Sequence, residues 1–283
     1  MKSLTFLKRL RKFLLGDRRR IFRKRPKISI IIPFSSTDPW RLAAFQWLMR
    51  YWRAELPQAE IVVGRSRGRV FCKGEALNDA VRKSRGRVIA ILDADAYLPG
   101  HIVESCADKI LENLDKHLWF VPYRHLYRLN RCITEDILAS VPECPVRIIC
   151  HPQDHMLSDH RDKSRYGHRY GAMAMIFPRE AYEAIGCFDE RFVGWGGEDV
   201  ALLRALDTLY GKHKTKRGCI FHLWHPFVGR DYTTRIWEGQ THARINERLA
   251  NEYHKATRNP TMMRNLADEA VRYRKIKNRG RIW

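Results

Sequence analysis

Apolar and polar positions along the chain fall into short blocks whose period switches repeatedly between that of strands and that of helices. Ile28, Ile30, Ile31 and Ile32 make a nearly continuous apolar run that stops at Pro33, the pattern of a strand covered on both faces. Asp38 and Pro39 then supply an N-cap and a first-turn proline, which predicts a helix to about residue 53. Residues 60–63 predict a second strand, 75–84 a helix, and 88–92 a third strand that runs directly into Asp93. A helix over 100–114 and a strand over 118–121 follow. The stretch 123–170, rich in Pro, His, Arg and Asp and poor in periodicity, reads as loops. Strands over 171–177 and 218–223, helices over 178–185 and 198–210, and a helical end from 240 complete the pattern. Alternating strands and helices predict an α/β fold: a Rossmann-like, mostly parallel central sheet with flanking helices, whose ligands bind at the carboxyl ends of the strands. No repeat or Pro/Gly linker divides it, so one domain is expected over 28–238, between an arm at 1–27 and a helical extension at 239–283.

Charge changes this picture at the ends. The chain of 283 residues carries a formal net charge of +22. Residues 1–27 hold twelve Lys/Arg against one Asp, and 258–283 hold eight against two acids, so the middle is nearly ordinary. Basic ends on such a body point to a polyanion: anionic lipid, nucleic acid or acidic glycan. Phe6, Leu10, Phe13 and Leu14 at helical spacing, with Lys8, Arg9, Arg11 and Lys12 between them, describe a basic amphipathic helix suited to an anionic membrane surface or to packing on the body. Seven cysteines without a Cys-x-x-Cys pair argue against a disulfide framework and for reduced thiols. No apolar run is long enough to span a bilayer. The expected location is the cytoplasm, with the inner face of a membrane as a peripheral station.

The candidate chemistry is acidic. Asp93 and Asp95 sit at the end of an apolar strand with no Lys or Arg beside them in sequence, an arrangement suited to Mn²⁺ or Mg²⁺ shared with substrate phosphates. In Gly194-Trp-Gly-Gly-Glu-Asp199 the glycines permit a tight turn, and the two acids then fall in the first turn of a helix, where the dipole favours their ionised form. A carboxylate there can act as general base, and Trp195 offers a face for a sugar ring. His222 and His225 follow a strand, where an imidazole could complete a metal site. On a continuing strand residues three apart face opposite ways, so one ligand is expected. Cys150, His151, His155 and His160 are attributed to loop polarity rather than to zinc. The segment 33–39 has no glycine-rich phosphate loop, which excludes a sugar nucleotidyltransferase. A non-enzymatic polyanion-binding protein would explain the charge but not the acids at the ends of strand and helix.

Together the segments 28–34, 71–78 (Phe-Cys-Lys-Gly-Glu-Ala-Leu-Asn), 92–95 (Leu-Asp-Ala-Asp), 171–174 (Gly-Ala-Met-Ala) and 188–199 resemble GT-A-fold glycosyltransferases, in particular the β-1,4-galactosyltransferase-like and polypeptide N-acetylgalactosaminyltransferase-like groups. The resemblance spans about residues 28–226, and Trp-Gly-Gly-Glu-Asp is its most specific part. It implies metal-dependent, inverting transfer of a sugar from a nucleotide-diphosphate sugar to an acceptor hydroxyl of a protein or glycan. Asp95 would ligate the metal, and Asp93 the metal or the donor's ribose or sugar. Pro33, Phe34, Lys73 and Asn78 would lie near the nucleotide, Trp195 and Glu198 against donor sugar or acceptor, and Asp199 would be the base. His222 or His225 would be the remaining ligand; Cys219 with His222 matches the family's sulfur–histidine pair as well as His222 with His225 does. One departure is Gly64, where such enzymes commonly place an acid that contacts the base. A hydroxylated base in DNA, held by the basic arms, is the alternative acceptor.

Overall fold

The computed structural model describes residues 25–145, 148, 157–159, 173–194, 196–226, 236–237 and 240–280. The proposed amphipathic helix of the arm, Trp195 and the histidine-rich loop therefore lie outside the described residues.

Strand β1 (Ile28–Pro33) is buried along its length and pairs in parallel with β2 (Glu60–Gly64) on one side and β3 (Val88–Leu92) on the other. Helix α1 (Pro39–Glu55) begins where the sequence predicts, the Asp38 carboxylate accepting from the Arg41 N–H at 2.9 Å. Helix α2 (Lys73–Lys83) connects β2 to β3 and is capped by the Cys72 thiol. After the short β4 (Ala96–Tyr97) come α3 (Gly100–Glu112) and β5 (Phe120–Val121).

The stretch expected to be loops contains regular structure: β6 (His125–Leu129), α4 (Arg131–Ala139) and β7 (Leu157–Asp159). Leu126, Tyr127 and Leu129 are buried while His125 and Arg128 are exposed, so the strand is real but too short and too polar to register as an apolar run. Asn130 caps α4 by accepting from the Ile133 N–H at 2.9 Å, a signal the surrounding charges obscure. Next come β8 (Ala174–Pro178), α5 (Arg179–Ala184), α6 (Glu198–Leu209), β9 (Lys214–Thr215) and β10 (Cys219–His222), then β11 (Ile236–Trp237), β12 (Gln240–Thr241), α7 (His242–Lys255) and α8 (Pro260–Arg279).

The central sheet runs β2-β1-β3-β8-β5-β9. It is mostly parallel but mixed, because β8 lies antiparallel to both β3 and β5. A smaller sheet, β4-β10-β6-β7, stands beside it. Ile30, Ile31 and Ile32 are fully buried at the centre of one continuous apolar core. At the sheet's edge, a Cβ on Gly64 would come within 1.8 Å of the Ala76 carbonyl oxygen. The acid missing from the end of β2 is therefore sterically excluded by the close approach of α2. Among the described residues no helix is long and apolar enough to cross a membrane.

The C-terminal segment is not a free basic arm. Lys277 on α8 reaches Glu75 at 3.2 Å and Glu190 at 3.0 Å, and Arg274 and Arg264 donate to the carbonyls of Gly186 and Ala184.

Candidate active site

Two groups of side chains meet at the carboxyl end of β3. The first gathers around Asp95. β4 continues from the Asp93–Asp95 turn and pairs antiparallel with β10, setting His222 opposite Ala96, while the Leu223 N–H donates to the Asp95 carbonyl at 2.8 Å. The chain turns at this point instead of continuing as a strand. His225 is thereby folded back onto the same carboxylate as His222, so the two rings do not face opposite ways as a continuing strand would make them. His222 Nε2 lies 3.5 Å from Asp95 Oδ1 and His225 Nε2 lies 3.4 Å from Asp95 Oδ2. One ligand atom from each of Asp95, His222 and His225 falls within 4.8 Å of the others. Asp93 and Cys219 are not in this group.

These residues fit a divalent ion. His225 Nδ1 faces the Pro226 carbonyl at 2.9 Å, which requires a proton on that nitrogen and leaves Nε2 a bare acceptor for a neutral ring. A cation between that nitrogen and the Asp95 carboxylate would be held by both. Ligands about 2.0–2.2 Å from a common ion stand roughly 3–3.5 Å apart, the spacing seen here. Burial, helped by Arg128 and Arg41, pushes the His222 imidazole down to about 4 against the pull of Asp95. Burial would raise the Asp95 carboxyl, but the histidines and Arg41 hold it well below the usual carboxylate range. A ring that is neutral above pH 5 cannot supply much of that effect at neutral pH. The permanent charge of Arg41, 3.3 Å from Asp95 Oδ2, is the cause that persists.

The second group is built on Lys73. Its ammonium lies 2.7 Å from Asp93 Oδ1 and 2.8 Å from Asp199 Oδ1, bridging the two acids. Burial would lower its affinity for the proton, but Asp199, Asp93 and Glu198 together raise it well above the ordinary lysine value. The aspartates thus do have cationic neighbours, Lys73 and Arg41, brought from other elements. Burial, with Asp199 and Asp95 adding repulsion, pushes Asp93 up to about 7 even with Lys73 beside it. Asp199 Oδ1 is close enough to Lys73 to share its charge, yet accepts no well-directed hydrogen bond; the bond from Lys73 goes to Oδ2 at 3.0 Å. Oδ1 is thus held by the ion pair with Lys73 and by no directed hydrogen bond.

Gly196 and Gly197 carry φ of 116° and 85°, as the tight turn requires, and place Glu198 and Asp199 at the start of α6. Glu198 accepts from the Gly196 N–H at 2.9 Å. The helix dipole does not prevail at Glu198, because burial and the Asp199 charge push its carboxyl up to about 7. Asn246 on α7 clamps the turn from outside, donating to the Val193 carbonyl at 2.9 Å and accepting from its N–H at 3.3 Å.

The remaining predicted residues sit apart. Pro33 closes β1, and Phe34 stacks on Phe45 at 4.0 Å between ring centres. Asn78 is turned away from the cluster: it donates to Phe188 and Glu190 and accepts from Tyr182 and the Phe188 N–H, which holds the segment leading to the glycine turn. Sequence reasoning missed Arg41 and the buried Tyr123, whose hydroxyl is pushed up mainly by burial and also by Asp93 and Asp199. It also missed an aromatic shelf beside the histidines, where Trp40 and Trp224 meet edge to face at 4.9 Å under the Arg131 guanidinium. Only the N-cap at Asp38 hinted that the next turn would face a site.

Comparison with known proteins agrees with this arrangement. Residues 56–182 match the model of glycosyl transferase family 2, and residues 154–217 match that described as the N-terminal domain of galactosyltransferase. The first match contains Asp93 and Asp95, the second Glu198 and Asp199. Between them the two matches cover residues 56–217, and over that stretch the chain is similar to nucleotide-sugar-dependent glycosyltransferases. Among solved structures it is similar to the catalytic domain of Drosophila β1,4-galactosyltransferase 7 in complex with xylobiose, at 14% identity and a TM-score of 0.43 over 80% of this chain and 79% of that one. A mutant of the same Drosophila enzyme with manganese, UDP-Gal and xylobiose matches at 13% identity and 0.40, over 75% and 76%. GalNAc-T7 with UDP, GalNAc and Mn²⁺ matches at 13% and 0.44 over 81% of this chain; the chain spans about half of that protein, 48%. No curated protein matches the sequence at a significant level.

Proposed function

We propose that the protein transfers a sugar from a nucleotide-diphosphate donor to an acceptor hydroxyl of a protein or glycan with inversion, using Asp95, His222 and His225 to hold Mn²⁺ and Asp199 as the base. The observation that carries this reading is the convergence of Asp95, His222 and His225 within reach of one ion, beside the acids of the glycine turn. One carboxylate with two imidazoles favours Mn²⁺ over Mg²⁺, which prefers oxygen ligands and retains water. A divalent ion there would act as a Lewis acid toward the departing diphosphate.

The chain's own groups supply the rest. Asp199 Oδ1, held by the Lys73 ion pair but by no directed hydrogen bond, is the acceptor for the hydroxyl proton, and Lys73 must loosen its hold on that carboxylate for the proton to move. A diphosphate entering beside Lys73 offers the ammonium a competing anion. Glu198, near 7, can remain protonated and donate to a sugar or acceptor hydroxyl. Asp93 and Lys73 together present a donor and an acceptor to the donor's sugar. Inversion rests on the family resemblance.

The test is nucleoside-diphosphate release from a panel of sugar nucleotides, with and without Mn²⁺, in wild type, Asp95→Ala and Asp199→Asn. Asp95→Ala should abolish metal-dependent release. Asp199→Asn should keep donor binding and lose roughly 10²–10⁴-fold in kcat. Undiminished turnover in Asp199→Asn, or turnover indifferent to metal and to Asp95→Ala, would overturn the assignment.

A further inference from the structure

The edge of the central sheet opposite the site carries a second feature that sugar transfer does not use. Arg25 precedes β1, Ser84 and Arg85 precede β3, and Arg179 follows β8, which runs antiparallel to β3 with Val88 opposite Pro178. The topology therefore brings all four to the amino ends of β1 and β3, and they line a surface concavity of about 300 Å³.

The guanidinium groups are held in place there rather than swinging in solvent. Arg179 donates to the Gly86 carbonyl at 2.9 Å, the Val81 carbonyl at 3.1 Å and the Ser84 hydroxyl at 2.7 Å. The Arg25 Nε donates to the Arg85 carbonyl at 2.6 Å, and Arg85 is oriented by Glu60 at 3.2 Å. Three guanidinium groups thus share the concavity, with Glu60 as the acid paired to one of them. Arg25 and Arg85 are exposed and Arg179 is half-buried, so the three guanidinium groups are open to a ligand from solvent. Converging guanidinium groups suit a phosphate, which takes paired N–H donation.

The surroundings extend the same sign. Arg82 and Lys83 on the adjoining last turn of α2 are 61% and 55% exposed in their side chains and share one acid, Asp79, and Arg87 is exposed beside them. Residues 1–24 enter the fold at Arg25, and that segment has ten Lys/Arg, one Asp, and the apolar set Phe6, Leu10, Phe13 and Leu14. Apolar residues interleaved with basic ones match a lipid interface, which takes up both. Duplex DNA would engage the charges alone.

We propose that this edge is a docking surface for an anionic phospholipid membrane, with one headgroup phosphate seated among Arg25, Arg85 and Arg179. The carboxyl edge with Asp95 and Asp199 then faces away from the bilayer, toward acceptors that stand off from it. The inference does not depend on the transfer chemistry.

The test is co-sedimentation of the full chain with vesicles of phosphatidylcholine alone and of phosphatidylcholine with 30% phosphatidylglycerol, for wild type, Arg25→Gln/Arg85→Gln and Arg53→Gln. Arg179 is left intact because it caps α2. The wild type should bind only the anionic vesicles. At about 1 kcal/mol for each basic residue at the surface, the double variant should bind roughly thirtyfold more weakly with an unchanged melting temperature. Arg53→Gln, on the exposed last turn of α1, should bind like wild type. Inorganic phosphate and glycerophosphate at millimolar concentration should stabilise the wild type but not the double variant, and should only partly displace it from vesicles. Absence of binding to anionic vesicles, equal binding by the double variant and wild type, complete displacement by inorganic phosphate alone, or preference for duplex DNA at the same ionic strength would each overturn the proposal.

Discussion

His222 and His225 converge on Asp95 because the strand ends between them, and the two rings are held differently. His225 is fixed by the Pro226 carbonyl, whereas burial keeps His222 neutral. Both His222→Ala and His225→Ala are therefore expected to weaken Mn²⁺ by at least about tenfold to a hundredfold, read from titration calorimetry or Mn²⁺ paramagnetic resonance. A variant with unchanged affinity would remove that histidine from the ligand set. Glu198 gives a prediction with a sign. Its folded-state carboxyl is near 7 against 4.5 in the unfolded chain, so the folded state holds the proton more tightly. Its contribution to stability is then fully present below pH 4.5 and is lost as pH rises through 7. Glu198→Gln, which keeps the shape without the charge, should stabilise the metal-free protein at pH 8 by up to about 3 kcal/mol and change little at pH 4.5. Urea midpoints at the two pH values check this.

At the scale of elements, the glycine turn is held by backbone geometry. Gly197 has φ of 85°, and a Cβ there would meet the Ala250 Cβ at 2.7 Å and press on Phe192 at 3.4 Å. Gly197→Ala combines a left-handed penalty of about 1–2 kcal/mol with a clash against α7. The expected loss is about 2–4 kcal/mol of stability, together with a fall in kcat because Glu198 and Asp199 begin the next helix. Denaturant unfolding and turnover should move together; loss of stability with unchanged kcat would show that the turn does not set the acids. Gly196 has open space around it, so steric contact singles out Gly197 of the two.

Across the whole molecule, α8 ties the end of the chain to its first half. Lys277 joins Glu75 and Glu190, which are 8% and 5% exposed in their side chains, and Glu190 is in turn held by Asn78. Lys277→Ala leaves two buried carboxylates facing one another and should cost about 3–5 kcal/mol at pH 7. Urea unfolding measures it. An unaltered midpoint would mean that α8 is the dispensable basic arm its charge suggests.

Much of this protein was legible in its residues because the relevant physics is local. A short, nearly continuous apolar run stopped by a proline reads as a covered strand, Asp38-Pro39 reads as a helix start, and glycines followed by two acids can be recognised without knowing their neighbours. The mostly parallel α/β arrangement, and the location of Asp93 and Asp95 at a strand's carboxyl end, follow from that level. What only the tertiary structure decided depends on long-range proximity. Lys73 neutralises Asp93 and Asp199 from another helix, Arg41 reaches Asp95 across 54 positions, and Asn78 spends its hydrogen bonds on the Phe188–Glu190 segment instead of on a ligand. His225 joins His222 because the chain turns after β10, and β6 and α4 are stabilised by partners that their own polar sequences do not announce. Periodicity and caps record what a segment does with its own backbone, whereas the charge state and company of a buried side chain are set by whichever distant segments the fold brings against it.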